Sequence, residues 1–522
     1  MTADSNPMNG AESLMRTLVA NRVDTCFANP GTSEMHFVAA LDKVDGLRCV
    51  LCLFEGVVTG AADGYYRMAD RPAATLLHLG PGLANGVANL HNAKKAGSGI
   101  VNIVGEHASY HIRCNAPLTA DIEGIARPVS HWVRTSAGST AVARDGADAI
   151  AAASAPPGHI ATLVLPADAA WGPADGIARA SGAPRRRQVS AESVDAAAKA
   201  LTAGQPAALL LGGAAVRESS LHLAGKIAAA TGCTLLSEFG LSRLQRGAGR
   251  VRTRRIPYPI DTAVALLKDF KALVLVGAKR PVGFFAYPGK PSVLMSDACQ
   301  VTELATIEDD IVAALELLVE RVGARKLVPV GVAELTRPSL PSGRITEEGI
   351  GAVLGALIPE NSIVVDEAIS TGRGFDLPTA DAPSHDWLSI VGGSIGFGLP
   401  AATGAAIASP DRTVIVLEGD GSAMYTLQAL WTMARESLNI KILVFANRGY
   451  QILKAELANI TAGKPERKAT AILTMDNPAL DWVALAKGHG VAASRVDDLD
   501  SLASEFRRAL ASRGPNLIEV VM

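Results

Sequence analysis

Aromatic residues are scarce in this 522-residue chain, 4% of the total, and charged residues make up only 19%. With 49 Lys+Arg against 51 Asp+Glu, the formal net charge is −2, so no whole-molecule field exists to attract nucleic acid or anionic lipid. Cysteines number six (Cys26, Cys49, Cys52, Cys114, Cys233, Cys299) and are scattered. The one CxxC spacing, Cys49 to Cys52, has no second pair to complete a metal site, and buried free thiols are expected. The start, Met1-Thr-Ala-Asp-Ser-Asn6, lacks the basic segment and apolar core of a secretory signal, and a cytoplasmic location is expected. Long apolar runs are also few. The longest uncharged stretch, Trp387 to Pro410, has the length to cross a bilayer, but Gly392, Gly393, Gly396, Gly398, Pro400 and Gly404 interrupt it. A buried Gly-rich turn feeding a helix is the expectation, and no membrane partner.

What the chain has is 48% hydrophobic residues, enough for several cores. Short apolar runs alternate with Ala-rich helical segments, the pattern of parallel sheets covered by helices on both faces. Strands are predicted at Ala74–Leu79, Ile100–Val104, Ala207–Leu211, Ala272–Val276, Ser362–Val365, Thr413–Leu417 and Ile440–Phe445. Breaks at Pro184-Arg-Arg-Arg-Gln188 and from Gly331 to Gly349 cut the chain into three α/β blocks, 8–178, 190–328 and 345–522, with no sequence repeat relating them.

The third block carries the first chemical signal. The strand Thr413–Leu417 runs into Glu418-Gly419-Asp420-Gly421-Ser422, and Ile440–Phe445 runs into Asn447-Arg448-Gly449. Both turns lie at carboxyl ends of strands, the edge of a parallel sheet where ligands bind. Asp420, the Asn447 amide oxygen and the Gly449 carbonyl form a hard oxygen set suited to Mg²⁺, and Gly421 and Ser422 N–H groups at a helix start suit a diphosphate. Gly-Asp-Gly alone is also a common structural turn.

With 25 residues between the Gly-Asp-Gly triplet and Asn447, the segment resembles the cofactor motif of thiamine-diphosphate enzymes. The resemblance covers nearly the whole chain. In the first block, Leu51-Cys-Leu-Phe-Glu55-Gly and Ala62-Asp63-Gly-Tyr place an acid eight residues before the Asp of an Ala-Asp-Gly-Tyr sequence, similar to acetolactate synthase and benzoylformate decarboxylase. The family implies a fold of three doubly wound parallel-sheet domains, pyrimidine-binding, central and diphosphate-binding. It also implies that Glu55 hydrogen-bonds the pyrimidine and so activates the cofactor, whose thiazolium ring serves as electron sink for decarboxylation of a 2-oxo acid. In Gly392-Gly-Ser-Ile-Gly-Phe-Gly-Leu-Pro400, Ile395 matches the residue wedged between the two cofactor rings and Gly393 the carbonyl acceptor of the amino group. Ser370 and Tyr450 match positions near the diphosphate. Because Glu55 and the metal site lie in different blocks, the family implies a homodimer at least, with a homotetramer common.

For substrate handling, Thr75-Leu-Leu-His78-Leu-Gly-Pro-Gly82 with Asn85 resembles benzoylformate decarboxylase, with His78 falling 23 residues after Glu55. His78 is a proton-transfer candidate, and a structural histidine is the rival reading. Asn29-Pro-Gly-Thr-Ser-Glu34 resembles the loop whose hydroxyl meets substrate, which points at Thr32. Three departures stand out. Phe284 aligns with a second active-site histidine of the decarboxylase. Ala116-Pro-Leu-Thr-Ala120 replaces the Phe-Gln-Glu of catalytic acetolactate synthases, and Ile452-Leu-Lys-Ala-Glu456 replaces their aromatic-rich pocket segment. Acetolactate synthases bind FAD in the middle domain; the Gly turns Leu211–Val216 and Val276–Arg280 leave FAD as an option they do not require. The expected function is a thiamine-diphosphate- and Mg²⁺-dependent decarboxylase or carboligase of 2-oxo acids, acetolactate synthase-like, or else a benzoylformate decarboxylase-like enzyme. A flavin or NAD oxidoreductase lacks its GxGxxG after a strand, and a non-catalytic subunit would be favoured by loss of Glu55, Asp420 or Asn447, all of which are present.

Overall fold

The computed structural model describes residues 8–182, 184–461 and 466–522; the polar start on which the absence of a signal was read lies outside them. Three sheets run through the chain. Strands β1 (Thr25–Asn29), β2 (Arg48–Leu51), β3 (Ala73–Leu77), β4 (Ile100–Glu106), β5 (Trp132–Thr135) and β6 (Ile160–Pro166) form the first, wholly parallel, in the order β2-β1-β3-β4-β6-β5. The middle of the chain supplies β7 (Ala207–Leu211), β8 (Thr234–Ser237), β9 (Leu244–Arg246), β10 (Arg254–Arg255), β11 (Ala272–Val276) and β12 (Gln300–Ala305). All but β9 form a second parallel sheet, β10-β8-β7-β11-β12. Strands β13 (Ser362–Glu367), β14 (His385–Ser389), β15 (Val414–Gly419), β16 (Ile440–Ala446), β17 (Ala492–Val496) and β18 (Asn516–Val521) form the third, β17-β18-β16-β15-β13-β14-β9. Strands β4, β6, β7, β11 and β16 are buried along their whole length, because helices cover both sheet faces.

One boundary is corrected. The strand predicted to Leu79 ends at Leu77; Leu79 has φ +46° and opens the helix Leu79–Ala96, so His78 stands at the junction. The third sheet is not purely parallel. The three-residue β9 crosses from the central segment and pairs antiparallel with β14, capping an edge that would otherwise present unpaired N–H and C=O groups. The stretch after Trp387 is indeed a Gly-rich turn and then the buried helix Gly398–Ala408, and among the described residues no helix is long and apolar enough to cross a membrane.

Helix Glu55–Ala69 carries Gly56, Gly60 and Gly64 at four-residue spacing, which puts them on one face. That face meets helix Gly398–Ala408 with backbones nearly touching: a Cβ at Gly64 would collide with the Ala401 carbonyl, and one at Gly404 with the Ala61 carbonyl. Larger residues at either position would hold the first and third sheets apart.

A buried ion pair within the helix Glu55–Ala69 ties it to other segments. Arg67 donates Nε and Nη2 to Asp63 at 2.8 and 2.7 Å, and Nη1 to the carbonyls of Ser242 and Ser389 at 3.3 and 2.8 Å. Its guanidinium lies 4.5 Å from the Phe397 ring centroid, and Ser98 donates to Asp63. Removing one member strands the other charge without water. Asp63→Ala is expected to cost roughly 3–5 kcal/mol, read as a lower thermal midpoint by calorimetry, whereas Asp70→Ala, a substitution on a largely exposed side chain, should cost under about 1 kcal/mol.

Candidate active site

At the carboxyl edge of the first sheet, Glu55 is buried at the head of its helix, 7% exposed, and accepts from Asn85 Nδ2 at 3.0 Å through Oε2. Its Oε1 faces Gly82, whose absent Cβ would lie 3.3 Å from both that oxygen and the His78 Cβ. Glu55, His78 and Asn85 are therefore drawn together. Thr32 is exposed; the hydroxyl that meets His78 belongs to the next residue, Ser33, at 3.3 Å from Nδ1. The principal partner of His78 is Glu34, whose Oε2 lies 2.7 Å from Nδ1 and also accepts the Gly31 N–H at 2.7 Å. Glu34 was not assigned a role from sequence. Its signal was an acid three residues into a turn, the spacing of a capping box.

At the carboxyl edge of the third sheet, β15 ends in the turn that starts the short helix Asp420–Ala423, and β16 ends in Asn447. The two strands are neighbours, so the turns converge. Asp420 accepts the Gly421 N–H at 2.9 Å and the Arg448 N–H at 2.6 Å, and forms no salt bridge among the described residues. Burial raises its carboxyl to about 6 against those N–H donors. Asn447 Oδ1 accepts the Gly449 N–H at 3.2 Å, and the Tyr450 ring packs over Gly421, where a Cβ would be 2.6 Å from Cε1. Ser370 is half-buried at the head of the turn Thr371–Gly374, following β13.

Between these edges runs the loop Gly392–Phe397, with Gly393 exposed and Ile395 half-buried. Asn92 brackets Ser394, accepting its N–H at 3.1 Å and donating to its carbonyl at 2.7 Å; Asn89 donates to the Gly396 carbonyl at 3.0 Å. From below, Glu367 accepts the N–H groups of Gly396 and Gly398 at 2.8 and 2.5 Å. Burial pushes Glu367 up to about 7, and pushes its neighbour Glu418 well above the carboxylate range, with the Glu367 charge adding to the effect. Glu418 accepts from Ser422 at 2.7 Å, so the acid pair joins the loop to the Asp420 turn. Sequence reading missed this pair, because each acid sits at the end of an apolar strand and only the β13–β15 register brings them side by side.

Within one chain, no hydrogen bond or ion pair between described residues joins the Glu55–His78 group to the Asp420–Asn447 group. The two Gly turns of the second sheet line a cavity of about 560 Å³ that reaches from Gly213, Arg217 and Gly277 to Lys279, Arg280 and Phe284.

Residues 375–520 match the family model described as thiamine pyrophosphate enzyme, C-terminal TPP binding domain, and residues 8–125 match its N-terminal TPP binding domain. The chain is 48% identical over 516 residues to a Mycobacterium tuberculosis protein named "Putative acetolactate synthase large subunit IlvX", covering 99% of both. It is 30% identical over 530 residues to benzoylformate decarboxylase of Pseudomonas aeruginosa, covering 95% of each. A thiamine diphosphate-dependent 4-hydroxybenzoylformate decarboxylase of Rhodococcus jostii RHA1 has the same fold, with a TM-score of 0.86 at 24% identity over 99% of both chains. This chain belongs to the thiamine pyrophosphate enzyme family, in the acetolactate synthase and benzoylformate decarboxylase group.

Proposed function

We propose that the protein is a Mg²⁺- and thiamine-diphosphate-dependent decarboxylase or carboligase of 2-oxo acids. The observation that carries this reading is the Asp420 turn: a buried carboxylate with no cationic side chain paired to it among the described residues, beside an amide oxygen and a glycine on which the Tyr450 ring packs. Among the described residues there is no cluster of three or more His, Cys, Asp or Glu. A cation here would be held by Asp420, Asn447 and the Gly449 carbonyl, hard oxygen donors of the kind that suit Mg²⁺. The donor set fits a metal-bridged diphosphate, with Gly419, Gly421, Ser422, Ser370 and Tyr450 around it.

Thiamine diphosphate, when bound, supplies the electron sink for the pair left behind as CO₂ departs. The chain's own residues do the rest. Segment 345–522 serves as the diphosphate-binding domain and 8–178 as the pyrimidine-binding domain, with 190–328 between them. The loop holding Gly393 and Ile395 is clamped by Glu367, Asn89 and Asn92, so the Gly393 carbonyl and the Ile395 side chain would be presented to the cofactor on a loop that needs no reorganising. Glu55 has Oε1 free to meet a bound pyrimidine, its other oxygen being engaged by Asn85. His78, oriented by Glu34, delivers or accepts a proton at the reacting carbon or its oxygen, with the hydroxyl of Thr32 at the same rim. That anchored histidine favours a protonated, aldehyde-releasing outcome of the benzoylformate decarboxylase kind; Phe284, where that enzyme has its second histidine, leaves attack on a second carbonyl open. Since no hydrogen bond or ion pair among the described residues joins the two groups within one chain, a homodimer is the minimal active unit and a cytoplasmic homotetramer its fuller form. FAD is not called for by this chemistry, and absorbance of the purified protein at flavin wavelengths would reveal it.

Titration of metal-stripped protein with thiamine diphosphate, with and without Mg²⁺, followed by CO₂ release from pyruvate, 2-oxobutyrate and benzoylformate, tests the reading; absence of metal-dependent binding defeats it. Glu55→Gln should retain the cofactor and lose about 10²–10⁴-fold in turnover. His78→Ala should slow turnover without lowering the thermal midpoint. Asp420→Ala should abolish Mg²⁺-dependent binding. Because a proton competes with the cation for Asp420, Mg²⁺ affinity should be flat above about pH 6 and fall roughly tenfold per unit below it. Equilibrium dialysis from pH 5 to 8 measures this slope.

A further inference from the structure

Strand β2 forms the outer edge of the first sheet, beside β1. In the parallel register of the two strands Cys26 stands directly opposite Cys49. Register partners on adjacent strands share a face, and strand spacing sets their Cα atoms about 4.8 Å apart, inside the range of about 4.4–6.8 Å that a disulfide spans. Cys26 belongs to the apolar core on that face and has no exposed surface, while Cys49 packs against the same core and is half-buried at the sheet edge. The two thiols are in side-chain contact. Their hydrogen bond, and for Cys26 burial as well, raises the Cys26 thiol well above its ordinary value and lowers that of Cys49. Cys52, the partner that the CxxC spacing suggests for Cys49, lies on the opposite face in the core that holds Phe27 and Val50, because side chains alternate along the chain. Burial pushes its thiol up to about 12.

We propose that Cys26 and Cys49 form a reversible thiol–disulfide pair, a modification site whose oxidant is a low-molecular-weight disulfide of the glutathione class. Cys49, reachable at the sheet edge, attacks one sulfur of that disulfide as its thiolate. A mixed disulfide forms on Cys49, the external S–S bond breaks, and the departing thiolate takes up a proton. Cys26 then attacks Cys49 Sγ as its own thiolate, closing the Cys26–Cys49 bond and releasing the second external thiol. Two protein thiols are oxidised, one external disulfide is reduced to two thiols, and the two protein protons end on them. The less buried thiol with the lowered proton affinity attacks, and the enclosed one resolves. In a reducing compartment such a pair acts as a sensor and not as a permanent staple. Strand β1 continues into the loop that sets Glu34 against His78, and β2 leads to the helix that Glu55 begins, so the bond ties together the two strands that carry these acids.

The test incubates the full chain with glutathione disulfide, alkylates the remaining thiols and maps the peptides by tandem mass spectrometry. A peptide joining Cys26 to Cys49 should appear, about 2 Da lighter than its two thiol halves together, and should vanish on treatment with dithiothreitol. On a non-reducing gel the oxidised protein should run as a single chain. Cys49→Ser should abolish the linked peptide and leave Cys26 unmodified, and Cys26→Ser should trap glutathione on Cys49 as a lasting mixed disulfide. Cys52→Ala, which removes the neighbouring sulfur, should leave the link in place. No Cys26–Cys49 peptide from wild-type protein that keeps its native circular dichroism overturns the pair, as does glutathione held on wild-type Cys49 without transfer, Cys49 joined to Cys52, or a covalent dimer in place of the internal bond. Should a variant fail to fold, the wild-type map decides alone.

Discussion

The arrangement depends on one buried guanidinium. Arg67 belongs to the helix that Glu55 begins, pairs with Asp63 one turn before it, and spends its remaining donors on carbonyls of Ser242 and Ser389, which follow it far along the chain. A charge removed from water must be matched at every donor, so this one side chain sets how three segments meet. Arg243 repeats the device from the central segment, donating to Asp386 and to the carbonyls of Arg67 and Met68. With the guanidinium satisfied, the glycine faces of the helices Glu55–Ala69 and Gly398–Ala408 can close on each other, and the loop before the second helix comes within reach of Asn89 and Asn92.

The candidate site itself is organised by carboxylates that point inward. Glu34, Glu55, Glu367, Glu418 and Asp420 are all buried. Backbone N–H groups satisfy Glu34, Glu367 and Asp420, which costs no side-chain entropy and holds the loops that those N–H groups belong to. Burial raises the proton affinity of Glu367, Glu418 and Asp420, the setting in which an acid shares a proton or awaits a cation. The glycine-rich segments thus gain order from acids placed beneath them.

Local patterns carried the reading a long way. Fully buried runs such as Ala207–Leu211 and Ala272–Val276 were strands with the boundaries that hydrophobicity suggested, because a strand buried on both faces has no polar residue to blur its ends. The turns holding Asp420 and Asn447 were legible for the same reason: each follows an apolar strand directly. The junction at His78 was read one element too long, since Leu79 is apolar and nothing local announces its positive φ. At the Asn29–Glu34 loop, Thr32 and Ser33 offer the same hydroxyl chemistry, and which one meets His78 depends on how a three-residue turn rotates.

The sequence by itself determined the family, the alternation of strands and helices, and the two turns whose residue types suit a metal and a diphosphate, because these are properties of short segments and their spacing. Only the tertiary structure decided the partners. The contacts of Glu34 with His78, of Glu367 with Glu418, and of Cys26 with Cys49 depend on strand order and on where loops and strands meet. So does the unpaired edge of β14, which the central segment covers with β9. Residues far apart in the chain share no local signal, and the free energy that joins them comes from burial, which exists only once the sheets have packed.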